Sequence, residues 1–250
     1  MPPTDSHGIW ILAEQRNGCL SRISYELLTR ARALADKRSA PLTAVILSDE
    51  LPDHQLRTLI KRGADAVLAV EAPELAHFLV EPFAACLAWL IETHNPEVLI
   101  AGATSSGRTV LPYLAAKVHA GLTADCTELD IDPQTGNLLQ TRPAIGGNIL
   151  ATIQTPQHRP QMATVRPRST RPAEADDART GRIDRINPPA ERLGSRVERI
   201  DFTPAQDEHP LTEADKVVTV GRGIKKADNL PMIHELAERL SAAVGATRDV

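Results

Sequence analysis

Apolar and polar positions alternate along the first half of the chain in two repeating lengths. Residues 8–13 (GIWILA) form an unbroken apolar run, as expected of a strand covered on both faces. Ile23, Leu27, Leu28, Ala31, Leu34 and Ala35 then recur at helical spacing, with Ser21 placed to cap that helix. The alternation continues with a strand over 42–47, a short helix over 53–61 and a strand over 66–70. A helical pattern over 76–93 carries Phe83, Leu87, Leu90 and Ile91 on one face, and Pro82 within it predicts a break or a helix start. Residues 98–101 read as a fourth strand landing on the small polar loop 102–107, and residues 111–119 read as a helix. Strands and helices in this order predict an α/β fold, with a parallel sheet covered on both faces.

The pattern changes after residue 131. A turn at 132–137 (DPQTGN) lies between extended stretches at 138–142 and 149–154, which predicts a hairpin. Residues 156–210 hold eight of the nineteen prolines and many alternating charges, and read as a linker-like arm. A strand restarts at 216–220 (KVVTV). Behind it, Ile233, Leu236, Leu240 and Val244 define a helix ending at Gly245. The expected organisation is an N-terminal α/β domain over residues 1–200 with its arm, then the start of a second domain over 211–250. One strand and one helix cannot bury a sheet alone, so that second domain is expected to be incomplete.

Charge narrows the classes. With 28 basic and 32 acidic residues the net charge is −4, which excludes the basic field of a general nucleic-acid binder. Aromatics are only 3%, so the core must be aliphatic. Cys19, Cys86 and Cys126 are widely spaced without a CxxC pair, which fits a reducing compartment better than a disulfide framework or zinc knuckle. No apolar run approaches the ~18 residues of a membrane span, and the run at 8–13 is too short for a signal peptide. A cytoplasmic chain is the expectation.

Three segments could carry chemistry. The first is Thr104-Ser105-Ser106-Gly107-Arg108, at the junction of a buried strand and a helix. Backbone N–H groups and the helix dipole converge there, which suits a phosphate or carboxylate. An ordinary strand-to-helix turn would need the same small residues. The second runs from Thr141 to Arg166, where Gly146-Gly147 permit a bulge or close backbone approach. Arg142, Arg159 and Arg166 offer guanidinium groups to an anion, or simply solvate a twisted arm. The third is Gly221-Arg222-Gly223 with the later Thr247-Arg248, glycines and arginines suited to a pyrophosphate. No GxSxG elbow and no His, Cys, Asp or Glu set at metal-ligand spacing is present, so no catalytic or metal residues are assigned. Spacing alone stops at an α/β protein able to hold an anion.

Taken together, four stretches resemble the alpha subunit of the electron transfer flavoproteins. They are IWILAE (9–14), AGATSSGRTVLPYLAAKVHAGLTADCTEL (101–129), TRPAIGGNILATIQTPQHRPQMATVRP (141–167) and VGRGIKKADNLPMIHELAERLSAAVGATR (220–248). The 141–167 stretch is most similar to alpha subunits of anaerobic, electron-bifurcating systems. The resemblance implies an N-terminal domain similar to adenine-nucleotide α-hydrolase folds, docked on a beta subunit. It also implies a Rossmann-like C-terminal domain holding FAD, which shuttles electrons between acyl-CoA dehydrogenase-type flavoenzymes and a further acceptor, as in fatty acid oxidation.

By the same resemblance Arg222, with Gly223 beside it, and Arg248 lie at the flavin, and Thr247 stands where the family often has Ser. A fixed cation near the flavin's N1–C2 carbonyl edge favours its reduced, anionic form and raises the reduction potential. Family chains continue for roughly 80 further residues, an ordinary domain's worth. Their QVGQTG-like and GISGA-like segments are not among these 250 residues. The FAD domain is therefore expected to be truncated. Two other readings stay open on the residues: a flavin-free docking subunit, and an adenine-nucleotide-binding protein using Thr104–Arg108.

Overall fold

The computed structural model describes residues 8–201, 211 and 214–248. The chain divides into two compact units, Met1–Glu198 and Arg199–Val250.

The first unit opens with β1 (Ile9–Leu12), a small hairpin of β2 (Gln15–Arg16) and β3 (Cys19–Leu20), and α1 (Arg22–Arg38). β4 (Leu42–Ser48), α2 (Asp53–Lys61), β5 (Ala66–Glu71), α3 (Val80–His94), β6 (Val98–Gly102), α4 (Ser105–Lys117) and β7 (Leu122–Cys126) follow. Then come β8 (Glu128–Ile131), β9 (Leu138–Ala144), β10 (Ile149–Ile153), β11 (Gln161–Val165) and β12 (Arg182–Ile186). Seven strands form one sheet in the order β12-β5-β4-β1-β6-β11-β7, and every pairing is parallel. Strand order reverses between β1 and β6. In sheets of this kind, that is where the carboxyl ends leave a crevice.

Two aliphatic layers hold the sheet. Ile9 and Ile11 pack with Leu27, Leu28 and Leu34 of α1 and Leu56 and Leu59 of α2. Trp10 and Leu12 point the other way, onto Leu87 and Leu90 of α3 and Val110, Leu111 and Leu114 of α4. The period-2 alternation of a strand thus serves both layers, which is why residues 9–12 read as continuously apolar. Each fully buried Leu or Ile contributes about 1.5–3 kcal/mol, and Trp10 is the one aromatic in the described core.

Several expectations change. Ser21 stands at the N-cap of α1 with extended backbone, but its side chain makes no capping bond. α3 starts at Val80, not residue 76, because Pro82 belongs in a first turn where no N–H is needed. α4 starts at Ser105, well before residue 111, since Thr104 caps it and Gly107 is a packing residue. Residues 156–210, read as linker-like, supply β11, buried throughout between β6 and β7, and the edge strand β12. The hairpin is a three-stranded antiparallel arm, β10-β9-β8. Gly146 and Gly147 serve its tip by positive φ (68° and 80°); an added Cβ meets nothing within 4 Å at either, so no close approach is made there.

The second unit holds β13 (Val217–Val220), α5 (Leu230–Leu240) and β14 (Ala243–Ala246), with β13 and β14 parallel. Val244 and Gly245, expected at a helix end, lie in β14; the helix stops at Ser241, whose φ of 50° is left-handed. The segment is therefore a closed βαβ unit. Among the described residues, no helix is long and apolar enough to cross a membrane.

Candidate functional site

Parallel pairing in the second unit brings both glycine–arginine segments to one edge. β13 ends at Val220 and β14 at Ala246, paired in register, and the N–H of Thr247 donates to the Val220 carbonyl at 2.9 Å. Gly221-Arg222-Gly223 therefore turns away beside Thr247-Arg248, at the carboxyl ends of both strands. The turn is tight, with the Ile224 N–H donating to the Gly221 carbonyl at 3.0 Å. A Cβ added at Gly221 would meet only Thr247, at 3.8 Å, and one at Gly223 would meet nothing within 4 Å. Packing within the chain thus does not require glycine at these positions. Their bare backbone, flanked by the exposed Arg222 and Arg248, leaves room for an anionic group to approach closely.

The loop Thr104–Arg108 sits at the carboxyl end of β6, beside the strand-order reversal. Thr104 caps α4, accepting from the Gly107 N–H at 3.1 Å, and its hydroxyl donates to Glu14 Oε1 at 2.7 Å. Packing explains the two glycines. A Cβ on Gly107 would fall 1.9 Å from the Gly102 carbonyl oxygen, and one on Gly102 would fall 2.6 Å from Ile23. Burial raises the Glu14 carboxyl above its ordinary value, and the Thr104 hydrogen bond only partly offsets this. Hydrophobic periodicity does not single out Glu14; its one signal in the sequence is an acidic residue just past a buried strand. The backbone of Glu14 is clamped by Ser24, whose hydroxyl accepts from its N–H at 2.9 Å and donates to its carbonyl at 3.0 Å.

The arginines near the arm are engaged within the chain. Arg166 forks onto Asp125, with Nε at 3.2 Å and Nη2 at 2.7 Å, and Arg108 joins the same carboxylate at 3.2 Å. The Arg166 bond chiefly holds the Asp125 carboxyl below the usual carboxylate range. Arg159 donates to Glu97 at 2.7 Å, and Arg142 reaches the Pro143 carbonyl at 3.5 Å. The structure thus does not gather Arg142, Arg159 and Arg166 around one ligand.

Comparison with known proteins bears on both units. The electron transfer flavoprotein domain matches residues 9–191. The electron transfer flavoprotein FAD-binding domain matches residues 210–250. The chain belongs to the electron transfer flavoprotein family. It is 42% identical over 245 residues to the electron transfer flavoprotein subunit alpha of Thermoanaerobacterium thermosaccharolyticum, covering 98% of this chain and 74% of that one. The corresponding subunit of Clostridium acetobutylicum is 40% identical over 252 residues, covering 99% and 74%. A further relative is the lactate dehydrogenase (NAD(+),ferredoxin) subunit LctC of Acetobacterium woodii, 36% identical over 241 residues and covering 96% and 57%.

FAD is the family cofactor, and the residues of the second unit fit it. Bare glycine backbone, two arginines and a threonine hydroxyl share the edge where this fold class receives a pyrophosphate.

Proposed function

We propose that this chain acts as an electron transfer flavoprotein alpha subunit, carrying electrons through FAD held at the Gly221–Gly223 and Thr247–Arg248 edge. FAD supplies the redox chemistry when bound; the chain supplies binding, orientation and charge. Guanidinium groups carry a fixed positive charge, so Arg222 and Arg248 bias the site toward added negative charge. Glycine at 221 and 223 keeps side chains out of the approach. The observation that carries this reading is the convergence of both segments on one edge of a parallel βαβ unit. Residues 211–250 then represent the opening of the FAD domain, and residues 1–200 the docking domain.

A beta subunit is the partner, as the alpha-subunit relatives imply, and we place it against β10. That strand is an open sheet edge carrying Ile149, Leu150 and Ile153 at 56%, 65% and 38% exposure, a surface proteins normally cover. Electron donors of the acyl-CoA dehydrogenase type, and a cytoplasm that keeps Cys19, Cys86 and Cys126 as free thiols, complete the proposal.

The test is the flavin midpoint potential of the complex with a beta subunit, in wild type and Arg222→Ala. Loss of the cation lowers the potential; an unchanged potential removes Arg222 from the site. A colourless complex with a beta subunit would favour the flavin-free docking reading instead.

A further inference from the structure

We propose that Asn229 is a positioning residue for Arg222, locking the turn that presents its guanidinium at the carboxyl edge of β13 and β14. The inference rests on the flavin reading above and adds to it a residue outside the edge itself.

Asn229 stands at the N-cap of α5, where asparagine ordinarily serves the helix, yet its side chain makes no capping bond. The local sequence explains this. An N-cap side chain accepts from the second or third helical N–H, and the second residue of α5 is Pro231, which has none. Asn229 instead turns back along the chain, and its Nδ2 donates to the Ile224 carbonyl at 2.9 Å.

That carbonyl is where the turn needs holding. It also accepts from the Lys226 N–H at 2.7 Å, closing a three-residue turn around Lys225. Lys225 has φ 61° and ψ −41°, the strained form of such a turn for a residue with a Cβ. Backbone of this kind persists only where its surroundings enforce it. In the same stretch the Ile224 N–H donates to the Gly221 carbonyl at 3.0 Å, and the Lys225 N–H donates to the Arg222 carbonyl at 3.2 Å. Arg222 therefore lies within a run of bonds that ends on the Asn229 amide. Both ends of the run are fixed: Val220 is tied to Thr247, and α5, with Ala237 buried, packs on β13 and β14. Releasing the Ile224 carbonyl lets Lys225 return to negative φ, which turns the backbone at 221–224 and re-aims Arg222. The Asn229 bond is exposed, so its loss loosens the turn without unfolding the unit.

The test combines two measurements. Amide hydrogen exchange on the full chain needs no flavin: Asn229→Ala should speed exchange at Ile224 and Lys225 about two- to tenfold, the effect of one ordinary hydrogen bond. The flavin midpoint potential is then compared for complexes with a beta subunit carrying the wild-type chain, Arg222→Ala, Asn229→Ala and both changes together. Asn229→Ala should lower the potential by part of the Arg222→Ala shift, and the double variant should match Arg222→Ala alone, because a positioning residue has nothing left to position. Asn229→Gln, which keeps an amide donor, should recover part of both effects. Unchanged exchange at Ile224 and Lys225 in Asn229→Ala overturns the proposal whatever the flavin does. If Arg222→Ala lowers the potential but Asn229→Ala does not, or if the two shifts simply add, Asn229 loses this role while the flavin reading stands. An unchanged potential in Arg222→Ala removes the flavin reading, and the proposal with it.

Discussion

Glu14 shows most directly what a single residue contributes here. Its carboxyl is raised from the ordinary 4.5 by burial, and one hydroxyl donor does not reverse this. A raised carboxyl means that the folded state holds the proton more tightly than the unfolded chain. The associated stability is present below the unfolded value of 4.5 and is lost as pH rises through the raised value. Glu14→Gln should remove that dependence. Denaturant titrations between about pH 4 and 8 should show the wild type losing stability relative to the variant, and parallel curves would contradict the assignment.

The cysteines give a second test at this scale. Cys86 and Cys126 are buried, with thiols pushed up to about 11 by desolvation, while Cys19 is exposed. A thiol reagent at neutral pH should therefore modify one cysteine rapidly in the folded protein and all three after denaturation. Two or more fast thiols in the native protein would contradict the burial.

Elements differ in how visibly they are written. β1, β4, β5 and β6 are legible because both faces of a central parallel strand are covered, leaving unbroken apolar runs such as IWIL. β12 (RIDRI) is an edge strand with mostly polar positions, and its charges hid it in the proline-rich segment. β11 (QMATV) is fully buried yet carries Gln161, whose side chain accepts from the Leu138 N–H at 2.8 Å. A buried polar residue with a backbone partner breaks the apolar pattern without breaking the strand.

The start of α4 was obscured for a related reason. Ser105, Ser106 and Gly107 are poor helix formers, but Gly107 is required by the 1.9 Å that a Cβ would leave to the Gly102 carbonyl. Gly107→Ala should cost more than about 2 kcal/mol in equilibrium unfolding, because the obstacle is backbone and cannot swing away. A loss under about 0.5 kcal/mol would contradict the packing. For β10, Leu150→Asp should leave the unfolding midpoint of the isolated chain nearly unchanged, since Leu150 is 65% exposed. It should weaken capture of a beta subunit at least tenfold; equal capture by wild type and variant removes β10 from the interface.

The whole molecule joins a first unit with a two-layered aliphatic core to a second built from a single βαβ unit. Their legibility differs in kind. The parallel sheet follows from hydrophobic periodicity, whereas the site depends on two short segments separated by 23 residues, Gly223 to Thr247. No spacing rule relates Arg222 to Arg248; only the parallel pairing of β13 and β14 places them at one edge. Apolar Met232, Leu236 and Leu240 of α5 remain 65%, 46% and 44% exposed, so this unit offers further surface to be covered. The family match across both units points to electron carriage through FAD. Its most direct test is the visible absorption spectrum of the chain purified together with a beta subunit, compared with the same complex carrying Arg222→Ala and Arg248→Ala. Oxidised-flavin bands in the wild-type complex, weakened or lost in the double variant, are the predicted result. A flavin spectrum of equal intensity in both complexes, or none in the wild type, would contradict it.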